Sequence, residues 1–250
     1  MRERMSFKEI RAFSKEKLKE NLKVLVIIEL IVVVICVGLL TWQEGIDLIF
    51  PSSILSLVMQ IVIYGLLAVF FTGNVVACLG TSKGQEPKVD QVFYLFRNKT
   101  KQVLWLIVRK TIIMFLIMSI IYFFGGIMYY AATNEDFPYM MTIASALATV
   151  IVELRYFPAL YLLLEGEEQV CRKAIWRGND LMRGNYMRLM GLWISFVPWM
   201  LLGLIPCGLG VFVVAPWFQI SQAVFYTDLK RQEKIKMHSQ AGEGTESQRL

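Results

Sequence analysis

Six long apolar stretches constrain the fold of this chain more than any other feature. They cover residues 24–42, 54–79, 111–130, 139–164, 187–205 and 209–226. A helix needs about 20 apolar residues to cross a hydrocarbon core roughly 30 Å thick. Because 56% of the 250 residues are hydrophobic and only 18% are charged, one soluble core cannot bury these stretches. The sequence therefore predicts an all-α, polytopic membrane bundle of six transmembrane helices.

The segments that join these stretches are of two kinds. One kind is short and without Lys or Arg: residues 43–53, 131–138 and 206–208. The other kind holds 25 of the 26 basic residues: the N-terminal segment, residues 80–110, residues 165–188 and the tail after residue 226. Since basic flanks are retained on the cytoplasmic side, this alternation predicts three antiparallel hairpins with both termini in the cytoplasm.

The same pattern divides the chain into three parts. Residues 1–23 form a basic amphipathic cytoplasmic segment, and residues 24–229 form the six-helix transmembrane domain. Residues 230–250 are polar and rich in Gly, Ser and Glu. Because such a composition cannot bury enough apolar surface to offset the entropy of ordering, we expect a disordered cytoplasmic tail.

Each basic segment that precedes a span places apolar residues at helical spacing. These are Phe7, Ile10 and Phe13 in the first segment, Val89, Val92, Phe93 and Phe96 in the second, and Val170, Cys171, Ala174, Ile175, Leu181 and Met182 in the third. Apolar positions at i, i+3, i+4 and i+7 are typical of a helix with one apolar face. We therefore predict cytoplasmic amphipathic helices that lie in the membrane interface.

An asparagine near a basic residue precedes a span three times, at Asn21, Asn98 and Asn185. One interpretation is three parallel repeats, each made of an interfacial helix, an outward span, a short turn and an inward span. The other is that any basic juxtamembrane helix has these features. The sequence leaves both interpretations open.

Charged residues inside the apolar stretches are the candidates for function, because a charge in the membrane is costly. They are Glu29, Glu153 and Arg155. Glu153 lies roughly 17–21 Å from either end of its predicted helix. Glu153 and Arg155 are two residues apart and project to different sides, so each needs a partner elsewhere. We predict an ion pair between Glu29 and Arg155.

Two roles are open for this candidate polar network of Glu29, Asn74, Glu153 and Arg155. Glu153 could bind a proton or cation, with Asn74 among the polar side chains that line the path. Alternatively, the network holds the bundle together, with a protonated Glu153 and with Arg155 extended toward the inner surface.

Motifs for catalysis are absent from the sequence. The single histidine, His238, lies in the polar tail, so a histidine-based zinc site or a Ser-His triad cannot form in the membrane domain. No P-loop or GxGxxG motif occurs, and the four cysteines have no CxxC spacing. We expect no enzyme activity, no cofactor and no metal site.

The C-terminal half contains a series of short motifs: Leu154-Arg155-Tyr156, Pro158, Lys173-Ala174-Ile175, Leu181-Met182-Arg183-Gly184-Asn185, Ser195-Phe196, Trp199, Gly208-Leu209-Gly210, Pro216 and Phe225-Tyr226-Thr227-Asp228-Leu229. This series resembles the bacterial integral-membrane family catalogued as domain of unknown function 975. The chain departs from the family pattern at Trp217, where Tyr is usual, and at Gly178, where Ser is usual. The resemblance implies a multi-span protein of the bacterial cell membrane, and it implies no activity, substrate or cofactor.

Two classes of function follow from these observations. In the first, the chain is a non-enzymatic accessory, assembly or protective factor that binds anionic headgroups at the cytoplasmic face or a membrane protein partner. In the second, it is a small secondary transporter or channel that uses Glu153 and Arg155. Nucleic acid is not an expected partner, because the basic residues flank apolar stretches and would face lipid headgroups.

Overall fold

The fold is all-helical in the part of the chain that the computed structural model describes, residues 4–50, 54–97, 100–132, 137–206 and 208–246. The elements, in chain order, are α1 (Phe7–Ile49), α2 (Ile54–Ser82), a 3₁₀ turn (Val89–Phe93), α3 (Tyr94–Arg97), α4 (Thr100–Ala132), α5 (Phe137–Glu165), α6 (Cys171–Met182), α7 (Tyr186–Leu204) and α8 (Val211–Glu246). The predicted all-α class is confirmed.

Five of the described helices, α1, α2, α4, α5 and α7, are long and apolar enough to cross a membrane. They indicate a multi-pass membrane protein. The sixth predicted stretch lies in α8 and is not among the five. Gln219, Gln222 and Asp228 make this helix more polar than the others.

α1 contains both the predicted amphipathic segment and the first apolar stretch. The helix begins at a capping box, in which the Glu9 amide donates to Ser6 Oγ and the Ser6 amide donates to a Glu9 carboxylate oxygen. Its regular geometry is interrupted at Asn21, where φ is −122° and ψ is 16°. The helix therefore changes conformation close to the predicted boundary at residues 23 and 24.

Asn185 has nearly the same backbone conformation as Asn21. It is the N-cap residue of α7, with φ −119° and ψ 0°. Both asparagines thus separate an amphipathic helical segment from an apolar helix. Asn98, the third asparagine of the predicted repeat, lies outside the described residues.

The segment from residue 230, for which a disordered tail is expected, continues α8, which runs through Glu246. Residues 230–242 are rich in Lys, Gln, Glu, Met and Ala, which favour helix. Extending an existing helix also avoids the cost of starting a new one. Composition alone does not reveal that a packed helix lies directly before the polar segment.

The chain forms two compact units, of which the first contains residues 1–100 and 184–250. In this unit α1, α2 and α8 pack against one another, and α7 packs on α8. The core between α1, α2 and the 3₁₀ turn contains Ile28, Val32, Ala77 and Val92. The turn approaches α2 so closely that a Cβ on Gly73 would lie 2.2 Å from the Val92 carbonyl oxygen. Only glycine fits there.

The predicted second amphipathic helix is instead the 3₁₀ turn followed by α3. Val92 and Leu95 are buried, whereas Val89, Phe93 and Phe96 are exposed to different degrees. The apolar residues at helical spacing therefore do not form one buried face. The tighter 3₁₀ geometry moves residues i and i+3 into line and changes which side chains point inward.

The second unit contains residues 101–183, which form most of α4 together with α5 and α6. A turn with Gly166 at φ 74° follows α5, and α6 then packs back on α5. Gly178 allows close contact, because a Cβ there would lie 3.0 Å from the Pro158 ring and 3.1 Å from the Ala159 amide nitrogen. α6 buries one face, made of Cys171, Ala174, Ile175, Gly178, Leu181 and Met182. Five of these are predicted by the apolar spacing, whereas Val170, also predicted, is the N-cap and is 46% exposed.

Candidate functional site

Glu29 and Asn74, two members of the predicted polar network, are in direct contact in the first unit. Asn74 Nδ2 donates a hydrogen bond of 2.5 Å to Glu29 Oε2, between α1 and α2. Asn74 is buried and Glu29 is 9% exposed. The Cys78 thiol, one turn further along α2, lies 3.9 Å from the amide oxygen of Asn74. Both ends of the Asn74 amide are therefore engaged.

The surroundings of this contact are apolar. Ile28 and Val32 on α1 and Ala77 on α2 belong to the adjoining core. Among the described residues, Glu29 forms no ion pair, and the Asn74 amide is its hydrogen-bond partner. A carboxyl group in such a place is stabilised by a donor and has no cation to neutralise it.

Glu153 has a partner that the sequence analysis did not identify. In the second unit, Lys110 Nζ lies 2.5 Å from Glu153 Oε1, which joins α4 to α5. The side chains of Lys110 and Glu153 are 34% and 42% exposed. The charge expected to be alone on its helix is therefore paired.

The sequence pattern does not single out Lys110, because this residue ends the basic connecting segment of residues 80–110. α4 instead begins at Thr100, so Lys110 lies well inside the helix. A signal was present in the sequence: residues 103–108 read VLWLIV, and apolar residues resume after Thr111. Arg109 and Lys110 thus interrupt an apolar run and do not end a loop.

Arg155 lies two residues after Glu153 on α5 and is exposed. It forms no ion pair with any residue that the structure describes. The predicted pair of Glu29 and Arg155 stays a prediction, and Asn74 satisfies one carboxylate oxygen of Glu29.

Asp228 on α8 is a second buried carboxylate, and the family resemblance implies no role for it. Its side chain is fully buried and accepts from Arg188 Nη2 at 3.2 Å, Gln232 Nε2 at 2.8 Å and the Met5 amide at 3.4 Å. Arg231 lies 3.6 Å from its other oxygen and is half exposed. A fully buried carboxylate loses its contacts with water, so it needs these donors to offset the cost of burial.

Arg188 connects this cluster to two further groups. Its Nη2 also donates to the Met5 carbonyl at 3.0 Å, and its Nη1 donates to Asn185 Oδ1 at 3.0 Å. The Asp228 cluster, which consists of Met5, Asn185, Arg188, Asp228 and Gln232, therefore joins the start of the chain to α7 and α8. Its geometry is that of a structural lock, because three donors converge on Asp228 Oδ2. Asp228 Oδ1 has Arg231 at 3.6 Å and no hydrogen bond among the described residues.

A cleft of about 360 Å³ lies in the second unit between α4 and the start of α6. It is lined by Trp105, Arg109, Ile112, Ile113, Cys171 and Arg172. The backbone amide of Cys171 donates to Gln102 Oε1 at 3.2 Å, which fixes the start of α6 beside α4. Two guanidinium groups and an apolar wall thus face the same space.

Cys171 is the one nucleophile in this cleft, and its surroundings do not activate it. Burial raises the pKa of the Cys171 thiol, and the nearby charge of Arg109 opposes this only in part. The thiol is therefore neutral at pH 7, whereas a reactive cysteine requires a lowered pKa. In the described part of the chain, no three His, Cys, Asp or Glu side chains are grouped so that they could hold a metal ion.

Comparison with known proteins gives one match. The model of a family described as "Protein of unknown function (DUF975)" matches residues 1–233. No curated protein and no solved structure matches the chain. The match covers α1 to α7 and most of α8, including Glu29, Glu153 and Asp228.

Proposed function

Because the chain belongs to the DUF975 family, whose function is unknown, we propose its role from its own geometry. The protein is a non-enzymatic component of the bacterial cell membrane that acts at the cytoplasmic face by binding anionic lipid headgroups. It serves there as an accessory, assembly or protective factor. The observation that carries this proposal is that α6 is buried on one face and exposes basic and aromatic residues on the other.

One face of α6 is packed on α5, and the opposite face presents Arg172, Lys173 and Trp176. Trp176 is 67% exposed. A large exposed aromatic ring is unfavourable in water and is typical of the headgroup region of a bilayer, where Trp is enriched. A basic residue near an anionic membrane surface contributes about 1 kcal/mol of attraction. Both features favour an α6 that lies at the lipid surface.

The first part of α1 has the same two-sided character within the other unit. Its buried positions are Ile10, Ser14 and Leu18, at i, i+4 and i+8. Lys8, Lys15 and Lys19 are exposed.

In the proposed topology, six spans form three hairpins, the start of α8 is the sixth span, and both termini are cytoplasmic. The basic faces of α1 and α6 then meet the same leaflet.

Lipid composition around the reconstituted protein tests the proposal. The protein is extracted in polymer-bounded nanodiscs from membranes of known lipid content, and the anionic fraction is compared with the bulk membrane. We expect enrichment of anionic lipid that falls several-fold when Lys15, Lys19 and Lys173 are all changed to Gln. Arg155→Gln is the control, because this exposed basic residue lies within a predicted span. Equal enrichment in all forms would contradict the proposal.

Labelling of cysteines tests the orientation separately. Lys88→Cys and Lys173→Cys place probes on exposed positions of two basic segments. In intact cells we expect no reaction with a membrane-impermeant maleimide at either probe, and full reaction after lysis. Labelling from outside would show that the proposed topology is inverted.

A small secondary transporter or channel is the second candidate. It is favoured by the Lys110–Glu153 pair, since both residues lie in helices that are apolar enough to span a membrane. Arg155 on the same helix would add a second charge to such a path. Proton-dependent flux in proteoliposomes that is abolished by Glu153→Gln would establish this role in place of lipid binding.

A further inference from the structure

Two arginines in the cleft of the second unit have no partner in the described chain. Neither Arg109 nor Arg172 forms a hydrogen bond or an ion pair there, and both are exposed. Two other cations of α4 and α6 are paired: Lys110 with Glu153, and Arg177 with Glu167 and Glu168 at 3.4 Å. Arg109 comes from α4 and Arg172 from α6, yet they line one cleft. The cleft therefore holds two positive charges without a carboxylate partner.

The wall of the cleft along α4 changes from basic to apolar. Trp105, Arg109, Ile112 and Ile113 follow one another at i, i+4, i+7 and i+8, so they form one stripe that covers about 12 Å of the helix. Ile112 and Ile113 are at the start of the long apolar part of α4. A ligand that fits this stripe has an anionic group at one end and hydrocarbon at the other.

We propose that the cleft is a binding site for one anionic phospholipid. The phosphate lies between Arg109 and Arg172, where guanidinium groups match its geometry. The first part of an acyl chain lies along Ile112 and Ile113, and the rest continues beside α4 in the bilayer. Trp105, one turn before Arg109 on α4, lies beside the headgroup on the side of the phosphate away from the acyl chain. A cleft of this volume suits a headgroup, and not a whole lipid.

The headgroup class follows from charge. A choline or ethanolamine headgroup would bring a third cation close to two unneutralised guanidinium groups, which is unfavourable. An anionic headgroup without an amine avoids this repulsion. A free phosphate would use the two arginines, but it would leave the apolar wall unexplained. The inference rests on the proposed function, because it requires this end of α4 and α6 to lie at a lipid surface.

Native mass spectrometry of the detergent-purified protein tests the site with phosphatidylglycerol and phosphatidylcholine as probes. We expect one phosphatidylglycerol to be retained per chain and phosphatidylcholine to be lost. Arg109→Gln and Arg172→Gln should each weaken retention about tenfold, because each removes one hydrogen bond between charged groups from the binding free energy. Arg155→Gln, an exposed arginine of α5 that does not line the cleft, should leave it unchanged. Thermal unfolding checks that all variants are folded.

Further measurements separate the alternatives. If glycerol 3-phosphate displaces the lipid at equal concentration, or if Ile112→Asn does not weaken retention, the site recognises phosphate alone and the lipid proposal is wrong. Equal retention of the two lipids, or retention that survives both arginine changes, would also overturn it. If the cleft variants have no effect while the lysine variants of α1 and α6 still lose lipid enrichment, the specific site fails and the proposed function stands.

Discussion

Lys110 on α4 and Glu153 on α5 form an ion pair with 2.5 Å between Nζ and Oε1. Each charge lies in a helix that is apolar enough to span a membrane. The two charges neutralise one another across the helix pair, and an isolated charge at such a place would be costly. The pair therefore links α4 to α5, whatever further role Glu153 has.

Removing one member of this pair should be worse than removing both. Lys110→Met or Glu153→Gln leaves one charge unpaired, and we expect each change to lower the free energy of unfolding by about 1–3 kcal/mol, since both side chains are partly exposed. The double variant should recover most of this loss. Unfolding in detergent, analysed as a double-mutant cycle, measures the coupling. Additive losses would show that the pair contributes nothing.

Loss of the buried carboxylate on α8 should release the start of the chain. Asp228→Asn leaves Arg188 without its anionic partner beside a fully buried position, so we expect a loss of about 3–5 kcal/mol. Hydrogen exchange should become faster in the first turns of α1, because the amide of Met5 donates to Asp228.

Arg231→Gln is the matched control. Arg231 is 51% exposed and 3.6 Å from Asp228, and its loss should cost less than 1 kcal/mol. Equal effects of the two changes would contradict the role of the Asp228 cluster in holding the start of the chain.

The Glu29–Asn74 contact gives a different expectation, because it is a hydrogen bond with no described cation. Asn74→Leu leaves the carboxyl group without its donor and should cost about 1–3 kcal/mol. Changing both Glu29 and Asn74 to Leu removes the unsatisfied group, so the double variant should be near the parent in stability. If the double variant is no better than Asn74→Leu, a second polar partner must hold Glu29 in place.

Two glycines of α2 should respond in opposite ways to the same substitution. Gly73→Ala places a methyl group against the Val92 carbonyl oxygen, and we expect a loss of about 1–3 kcal/mol. Gly65→Ala meets nothing within 4 Å and should raise stability by about 0.5–1 kcal/mol through helix propensity. Thermal unfolding of the two variants measures the difference. If Gly73→Ala were neutral, the 3₁₀ turn would not be packed on α2.

The apolar stretches and their flanks were predictable from the sequence because hydropathy and helical spacing are local properties. The stretch from residue 54 begins where α2 begins, and the spacing around Ala174 and Ile175 predicts the buried face of α6. Asn21, inside α1, and Asn185, before α7, also lie where the sequence changes from an amphipathic segment to an apolar one. The helical tail after residue 230 was not predicted, because its helix depends on the packed segment before it.

Which polar side chains meet was decided by the tertiary structure alone. Asn74 lies 45 residues from Glu29, and Asp228 lies 40 residues from Arg188. Such contacts depend on the rotation of each helix about its axis and on the direction in which its neighbours cross it. The sequence by itself determined that Glu29 and Glu153 lie on apolar helices and therefore need partners. Packing determined that Asn74, Lys110 and Arg188 are those partners, because only the folded chain brings distant helix faces within hydrogen-bonding distance.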